Sequence, residues 1–587
     1  MRSLWRTLIK PVYLPFADAA EDTYQSLSRS NRAFFMFLAG VLVVSAFGLL
    51  YLLNSTLLVT LPAHGGSLTE GVVGSPRFIN PILAVSDADR DISMLVYSGL
   101  LRATPEGSYK TDLASSYTIS PDGTVYTFTL RPNATFHDGT PVTADDVLFT
   151  ISKAEDPALK SPERANWNGV TVDAPDPHTV RFTLQSPYAP FIQNLTVGIL
   201  PKHLWQNVSA EEFPFSELNT NPVGSGPFRV TGITRTPAGI PTSYTLGTFK
   251  GYALGAPFLS SITLKLYPSE SALADALKNG DVEAASGLSP ESLVNIPDLN
   301  VVRSPLNRVF GVFFNQNQSE VLRDSDVRRA LDVAIDRNDL VQQVLGGYGT
   351  PLTGPVPPAS LSSLGESYAS STYTPDANAL ADAAKILANA GWVKGADGIL
   401  AKTTGKGKTA STIELQFSLS TGNIPELRAA AEYLRRQWTA LGASVDVKIF
   451  DQGDLSQNVI RPRKYDALLF GEVIGREFDL FAFWHSSQRN DPGLNIALYA
   501  NGAADKLLEQ MRTTSDSKTR ASLYQQFLSE LSADRPAIFL YAPDFVYSVP
   551  KDLQGLTLGF IETPSDRFLS VANWYRETDQ VWPIFKQ

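Results

Sequence analysis

Hydrophobic and polar positions change period several times along the chain, and each change marks an element. Residues 33–53, AFFMFLAGVLVVSAFGLLYLL, run for 21 positions without a charge. A helix of about 20 residues crosses a hydrocarbon core about 30 Å thick, so this stretch predicts a transmembrane helix. A cleaved signal peptide has a shorter apolar region, roughly 7–15 residues, and a shorter leader. The 32 residues ahead of this span therefore favour an uncleaved anchor. Residues 54–67 are polar and contain glycine, which predicts a tether, with folded structure starting at SLTEGVV.

Beyond that point the period alternates between two and 3.6. YTISPDGTVYTFTLR (117–131) predicts a hairpin, with Tyr126, Phe128 and Leu130 on one face and Asp122-Gly123 in the turn. GVTVDAPDPHTVRFTL (169–184) repeats that logic around a Pro-rich turn. Residues 261–285 read as strand, Ser-capped helix and short strand, with Leu273, Ala276 and Leu277 at helical spacing. SDVRRALDVAIDRNDLVQQVLGG (325–347) predicts one helix, with a stripe of Val327, Ala330, Leu331 and Ala334 and a Gly346-Gly347 stop. Residues 376–392 predict another helix. A strand at 412–420, a helix at 425–442 and a strand at 444–450 imply a parallel or mixed sheet with covering helices. Two helices within 505–533 and a strand near 537–549 close the chain.

Composition and charge narrow the function. The chain of 587 residues is too long for one core. It has no cysteine, which excludes disulfides, thiolate zinc sites, cysteine nucleophiles and lipid attachment through an N-terminal cysteine. Formal charge is −10; residues 1–32 sum to +2, so the rest sums to −12. No concentrated positive patch exists for nucleic acid. Arg29 and Arg32 precede the apolar span, while residues 54–65 carry no Lys or Arg. The positive-inside rule then puts the N-terminus in the cytoplasm and the large part outside. LWRTLIKPVYLPF (4–16) suits either the inner membrane surface or a disordered leader.

Candidate chemistry is sparse. FHDGTPVTADDVLF (136–149) gathers His137, Asp138, Asp145 and Asp146. Thr143 three positions before Asp146 fits a capping box, and Asp-Gly before it fits a turn, so scaffolding is the expectation. The five histidines, His64, His137, His178, His203 and His485, show no metal-ligand spacing. No Gly-x-Ser-x-Gly occurs, and NPVGSGP (221–227) lacks the Lys-Ser/Thr of a phosphate loop. No catalytic residue, metal site or cofactor is expected. Eight Trp and 21 Tyr suggest a binding surface, and residues 479–508 concentrate Trp484, His485, Gln488, Asn495 and Tyr499.

Several stretches together resemble the extracytoplasmic solute-binding proteins of peptide-type ABC importers, family 5, which includes oligopeptide-, dipeptide- and nickel-binding proteins. They are VYSGLLR (96–102), residues 113–150, NPVGSGPFRV (221–230), ALKNGDVEAASGL (276–288), residues 324–351, ANAGW (388–392) and segments within 483–512, in the family's order. The resemblance implies an α/β, two-lobed clamshell of the periplasmic-binding-protein type (type II, large peptide-binding subclass), here with an N-terminal transmembrane helix. The implied organisation is a cytoplasmic leader 1–32, a membrane helix 33–53, a tether 54–67, lobe I from 68–305 plus 500–587 with an extra β-rich subdomain, and lobe II from 306–499. A ligand would sit between lobes that close by hinge motion, its backbone extended along short strands.

Carried over by position, Ala84-Val85-Ser86-Asp87 corresponds to one ligand-facing strand and Glu472-Val473-Ile474-Gly475 to the other. Peptide-binding members usually carry an Asp after the second strand for the peptide's α-amino group; here Gly475 stands there, followed by Arg476. Glu472, Glu477 or Asp479 would have to substitute, or the ligand is not a peptide. Trp484 and His485 match a cleft-side motif. The expected ligand-binding set is Val85, Ser86, Asp87, Glu472, Val473, Ile474, Gly475, Arg476, Trp484 and His485. The expected partners are a peptide or other small solute, the permease and ATPase of an ABC importer, and the membrane, with the protein itself monomeric. A sensor or scaffold on the same fold is the alternative; the short leader, without an output domain, argues against it. A hydrolase ranks third.

Overall fold

The computed structural model describes residues 23–583, apart from 290–291, 294–295, 297–299, 358–360, 362–372, 375–377, 406–409 and 515. The leader's first 22 residues and the start of the 376–392 helix lie outside the described residues. Two compact units emerge: residues 1–63 with 577–587, and residues 64–576.

In the first unit the apolar run forms the helix Arg29–Leu57, capped by Ser28. At 1.5 Å per residue its 29 residues extend about 43 Å. Residues 29–54 have a mean hydropathy of 2.5 over their most apolar stretch, with none of that stretch buried. The expected loose tether is instead structured. The helix runs on to Leu57, and Val59–Ala63 pairs antiparallel with Glu577–Val581. Val59 and Thr60 are β-branched, which suits a strand better than a coil.

In the second unit a long mixed sheet organises the chain. Ser67–Val73 lies parallel between Ser261–Tyr267 and Ala284–Ser286. Pro241–Thr248 and Phe228–Arg235 extend the sheet antiparallel. The other half holds Gln416–Gly422, parallel to both Ser444–Phe450 and Ala467–Val473. There Arg308–Phe314 lies antiparallel between Ala467–Val473 and Ala537–Ser548. The twelve-residue strand Ala537–Ser548 joins the halves. Its residues 537–541 pair with 310–313, and its residues 544–548 pair with 301–305. Both hairpins form as read, and Tyr126, Phe128, Leu130, Val180 and Phe182 bury their side chains together.

Buried side chains follow this division. One cluster combines residues 68–264 with Ala284 and residues 545–574. Two others combine residues 309–542, one of them with Phe560 added from the C-terminal segment. Helices Gly502–Thr513 and Ser517–Asp534 were expected with the first lobe. Ala504, Leu508, Tyr524 and Phe527 instead pack with Val309, Phe313 and Trp484. An amphipathic stripe states that a helix has a partner, not which one. The helix read over 325–347 is two, Ser325–Val333 and Arg337–Leu345. Asp336 accepts from Asn338 and Asp339 N–H and so starts the second. The strand read over 412–420 is also two, Ser411–Glu414 and Gln416–Gly422, in different sheets, with Leu415 buried between them.

FHDGTPVTADDVLF is scaffolding. Asp146 accepts from Thr143 N–H at 2.8 Å and from Lys202 N–H at 2.9 Å. Asp145 pairs with Lys202 Nζ and Asp138 with His203. His137 Nδ1 accepts from Gly224 N–H at 3.3 Å while Nε2 faces the Gly226 carbonyl at 3.1 Å. Burial pushes that imidazole down to about 4, so it is neutral. The histidine thus holds the NPVGSGP loop. Gly224 and Gly226 pass so close to Val96 that a Cβ on either would meet backbone atoms within 2.6 Å.

One buried ion cluster ties distant segments together. Arg567 donates to Glu70 at 2.8 Å and, with both terminal nitrogens, to Asp91 at 2.7 Å. All three side chains are at most 1% exposed. Tyr547 and Ser565 donate to Glu70 and Asp91 respectively. Removing one member strands buried charges, which costs about 3–5 kcal/mol. Arg567→Ala is therefore expected to lose that much stability in urea unfolding followed by near-ultraviolet circular dichroism.

Candidate functional site

A cavity of about 450 Å³ opens between these segments. Helix Asp87–Val96 presents Arg90, Ser93 and Met94 to it, and Tyr97, Arg102, Tyr109 and Asp112 follow from the next loops and short strands. Gln193 and Asn194 come from the 3-10 helix Ala189–Thr196, and Glu163 from Pro162–Trp167. The C-terminal wall is Glu562, Thr563, Ser565, Asp566 and Phe568. Among the wall residues, Arg476 alone comes from the 306–542 half.

Arg476 is 5% exposed. It donates to Asp566 at 3.2 Å and to the Thr104 carbonyl at 3.3 Å, and lies 4.4 Å from the Phe560 ring centre. Asp566 also accepts from the N–H groups of Glu562 and Thr563, capping the 3-10 helix Pro564–Asn573. Burial pushes the Asp112 carboxyl up to about 6, against Ser98, Arg102 and Tyr252. Burial, then the charge of Asp566, push Glu562 up to about 7, while Arg476 pulls the other way. Ser93 Oγ, Tyr97 OH, Tyr109 OH and Arg102 Nε, on residues that line the wall, have no hydrogen-bond partner among the described residues. Such atoms are costly to bury unmet, so this wall is chemically suited to a polar ligand.

The sequence-derived residues divide sharply. Arg476 is on the wall, and Gly475 abuts it: a Cβ there would lie 3.6 Å from Gln193 Oε1 and 4.0 Å from Glu562 Oε1. Val85 is exposed beside Ala84, which lines the cavity. Residues 84–87 are not a strand. Ser86 caps helix Asp87–Val96 through a capping box with Asp89, and Asp87 pairs with Arg90 on the surface. Val473 ends a strand and is exposed, whereas Ile474 is buried, its N–H given to the Asn307 carbonyl at 3.0 Å. Trp484 is core, against Phe313, Tyr499 and Phe539. His485 stacks on Phe481 at 4.0 Å and bonds Ser487. Neither residue is on this wall. Most indoles likewise fill cores: Trp167, Trp205, Trp438, Trp484 and Trp574 are fully buried.

Residues 108–495 match the bacterial extracellular solute-binding proteins, family 5 (middle region). The chain belongs to this family. The oligopeptide-binding protein AppA of Bacillus subtilis is 29% identical, over 84% of this chain and 89% of AppA. Protein XP55 of Streptomyces lividans is 31% identical, over 84% and 86%. Among solved structures, AppA of B. subtilis in complex with a nonapeptide superposes with a TM-score of 0.62 at 28% identity, covering 88% of this chain and 99% of AppA. The substrate-binding protein CtaP of Listeria monocytogenes gives 0.71 at 28% identity, covering 88% and 100%. The family's two-lobed α/β architecture accounts for the two groups of cores.

Family resemblance drew attention to residues 472–476 but not to Glu562, Glu163, Gln193, Tyr97 or Tyr109. These come from separate segments, and no spacing links them. Glu472 shows the opposite case. Its side chain is buried, both carboxyl oxygens lack a partner among the described residues, and burial holds it well above the usual carboxylate range. The folded state therefore binds the proton more tightly than the unfolded state does, and stability falls as pH rises above the unfolded value near 4.5. Glu472→Gln keeps a buried polar group but cannot ionise, so it removes the part of the cost that grows with pH, about 1.4 kcal/mol for each pH unit above the unfolded value until the folded-state value is reached. The difference in unfolding midpoint, variant minus wild type, should grow from pH 4 to pH 8; a shrinking difference would mean Glu472 is ionised and paired.

Proposed function

We propose that this family 5 protein is a membrane-tethered receptor outside the cytoplasm. It captures a peptide, or a small organic solute of similar make-up, between two lobes and passes it to the permease and ATPase of an ABC importer. The observation that carries the reading is the cavity wall itself. Arg476, from the 306–542 half, reaches Asp566 and Thr104 on the other side, where partnerless polar atoms also line the wall. Opening would separate those groups and expose the cavity; closing would bury a ligand among them.

The hinge we assign to residues 306–307 and 542–543, where two antiparallel strands pass from one half of the sheet to the other. There the Leu306 N–H binds the Pro543 carbonyl at 2.9 Å and Gly349–Pro351 pairs with residues 541–543, and changes in φ and ψ of a few residues in 306–307 would supply closure. Asn307 binds the carbonyls of Ile474 and Gly475 through its Nδ2, so a hinge movement carries the 474–476 segment with it. Strand Ala467–Val473 pairs along its length with Arg308–Phe314 but meets Gln416–Gly422 only at Ala467 and Leu468. The open edge at 470–473 leads to Gly475, and an extended peptide backbone would add there. The reading as a peptide receptor draws further support from AppA, whose solved complex contains a nonapeptide.

The anchor rests on the exposed apolar helix. A tethered receptor stays at high effective concentration beside its transporter. Two outcomes follow. The full chain purified in mild detergent should carry small organic molecules, identified by native mass spectrometry, and its small-angle scattering radius should expand when they are removed. A protein that neither carries nor binds any such molecule would end the reading. In cells, the chain should stay with membranes through an alkaline carbonate wash, while deletion of residues 33–53 should release it.

A further inference from the structure

We propose that Glu562 is the cation-binding group of this cavity and holds a primary ammonium group of the ligand in the space left by the missing side chain at Gly475. This rests on the receptor reading above and specifies the ligand chemistry.

The three acids nearest to Gly475 in sequence are already committed. Glu472, on strand Ala467–Val473, is buried, and burial disfavours its ionised form. Glu477 pairs with Arg520 at 3.0 Å. Asp479 takes two nitrogens of Arg512, at 2.9 and 2.6 Å, and the Tyr188 hydroxyl at 3.1 Å. Of the acids on the wall, Asp566 is held by Arg476 and two main-chain N–H groups, Asp112 accepts from Tyr252, and Glu163 accepts from Asn166. Glu562 alone among them has no side-chain donor within hydrogen-bond distance among the described residues; the main-chain N–H of Arg476 is its polar neighbour.

The geometry is specific. Glu562 Oε1 and Gln193 Oε1 both face the point where a side chain at 475 would begin, from 4.0 and 3.6 Å. An ammonium group carries three donors and no acceptor, so two acceptor oxygens converging on one space suit it. Charge agrees. Glu562 and Asp566 share one guanidinium, that of Arg476, which leaves one negative charge to be met by a ligand. Burial and Asp566 already press the Glu562 carboxyl toward neutrality. A bound cation supplies the charge that stabilises its ionised form. A second observation points to a ligand in the same cavity. Ser93 Oγ and Tyr97 OH, on residues 7% and 5% exposed, have no hydrogen-bond partner among the described residues.

The test uses the full chain in detergent, stripped of bound molecules, with native mass spectrometry against three probe sets. These are short peptides with free amino ends, the same peptides N-acetylated, and non-peptide primary amines such as linear diamines. Wild type should hold free-amino peptides about tenfold or more tighter than acetylated ones. Glu562→Gln should abolish that preference, and Glu562→Asp should keep it. Equal retention of free and acetylated peptides by wild type overturns the Glu562 proposal and leaves the peptide reading standing; so does a preference that survives in Glu562→Gln. Binding of amines but not peptides, lost in Glu562→Gln, supports Glu562 and ends the peptide reading. Binding of none of the probes ends both. Equal retention by wild type overturns the proposal even if the Gln variant does not fold; where wild type does prefer free-amino peptides, Gln193→Leu, which removes the second acceptor oxygen, should weaken that preference, and an unchanged preference would overturn the site.

Discussion

The guanidinium of Arg567 is the constraint on which the cavity depends. It is sealed from water between Glu70 on a central strand and Asp91 on the helix Asp87–Val96, with Tyr547 and Ser565 completing the acceptors' hydrogen bonds. An ion cluster of this kind adds little stability over an apolar replacement, because desolvation offsets the attraction. What it supplies is geometry. A buried carboxylate cannot drift from its cation without a large penalty, so the strand, the helix and the C-terminal segment can meet in one way. The neighbours of Asp91 on the helix are Arg90, Ser93 and Met94; those of Arg567 are Ser565, Asp566 and Phe568. Both sets line the cavity. The ion cluster thus sits directly behind two of its walls.

The second constraint is the strand Ala537–Ser548. Its first half completes the sheet around Arg308–Phe314 and its second half the sheet around Ala284–Ser286 and Val301–Pro305. Asn307 stands at the joint between Arg308–Phe314 and Val301–Pro305, which pair with those two halves of the strand. Its main-chain N–H binds the Ile561 carbonyl, and its side chain binds the carbonyls of Ile474 and Gly475. One residue therefore couples the joint to Glu562's strand of chain and to the segment carrying Arg476.

Much of the local structure was legible. The hairpins, the capped helix at Asp145-Asp146, the helix Pro425–Leu441 and the parallel pairing around it follow from period, caps and turn residues. These signals act over a few residues and survive in any context. The departures have physical causes. Asp336 interrupts a helical stripe because a carboxylate that can accept from two main-chain N–H groups starts a new helix. Leu415 splits an extended run because its side chain is buried where the chain passes between two sheets. Trp484 carries the chemistry of a binding surface and fills a core instead, since an indole stabilises whichever apolar cluster encloses it.

The sequence by itself determined that the chain has one long apolar helix near its start, a mixed α/β body, no thiol chemistry and the ordered motifs of one binding-protein family. Tertiary structure alone decided which acids are available. Glu472, Glu477, Asp479 and Glu562 are the same residue class in sequence, yet one is buried where ionisation is disfavoured, two are paired, and one faces the space beside Gly475. The reason is that a carboxylate's role is set by burial and by charges within a few ångströms. Those neighbours, Arg520, Arg512, Arg476 and Asp566, are brought in from up to about a hundred positions away by the packing of the whole chain.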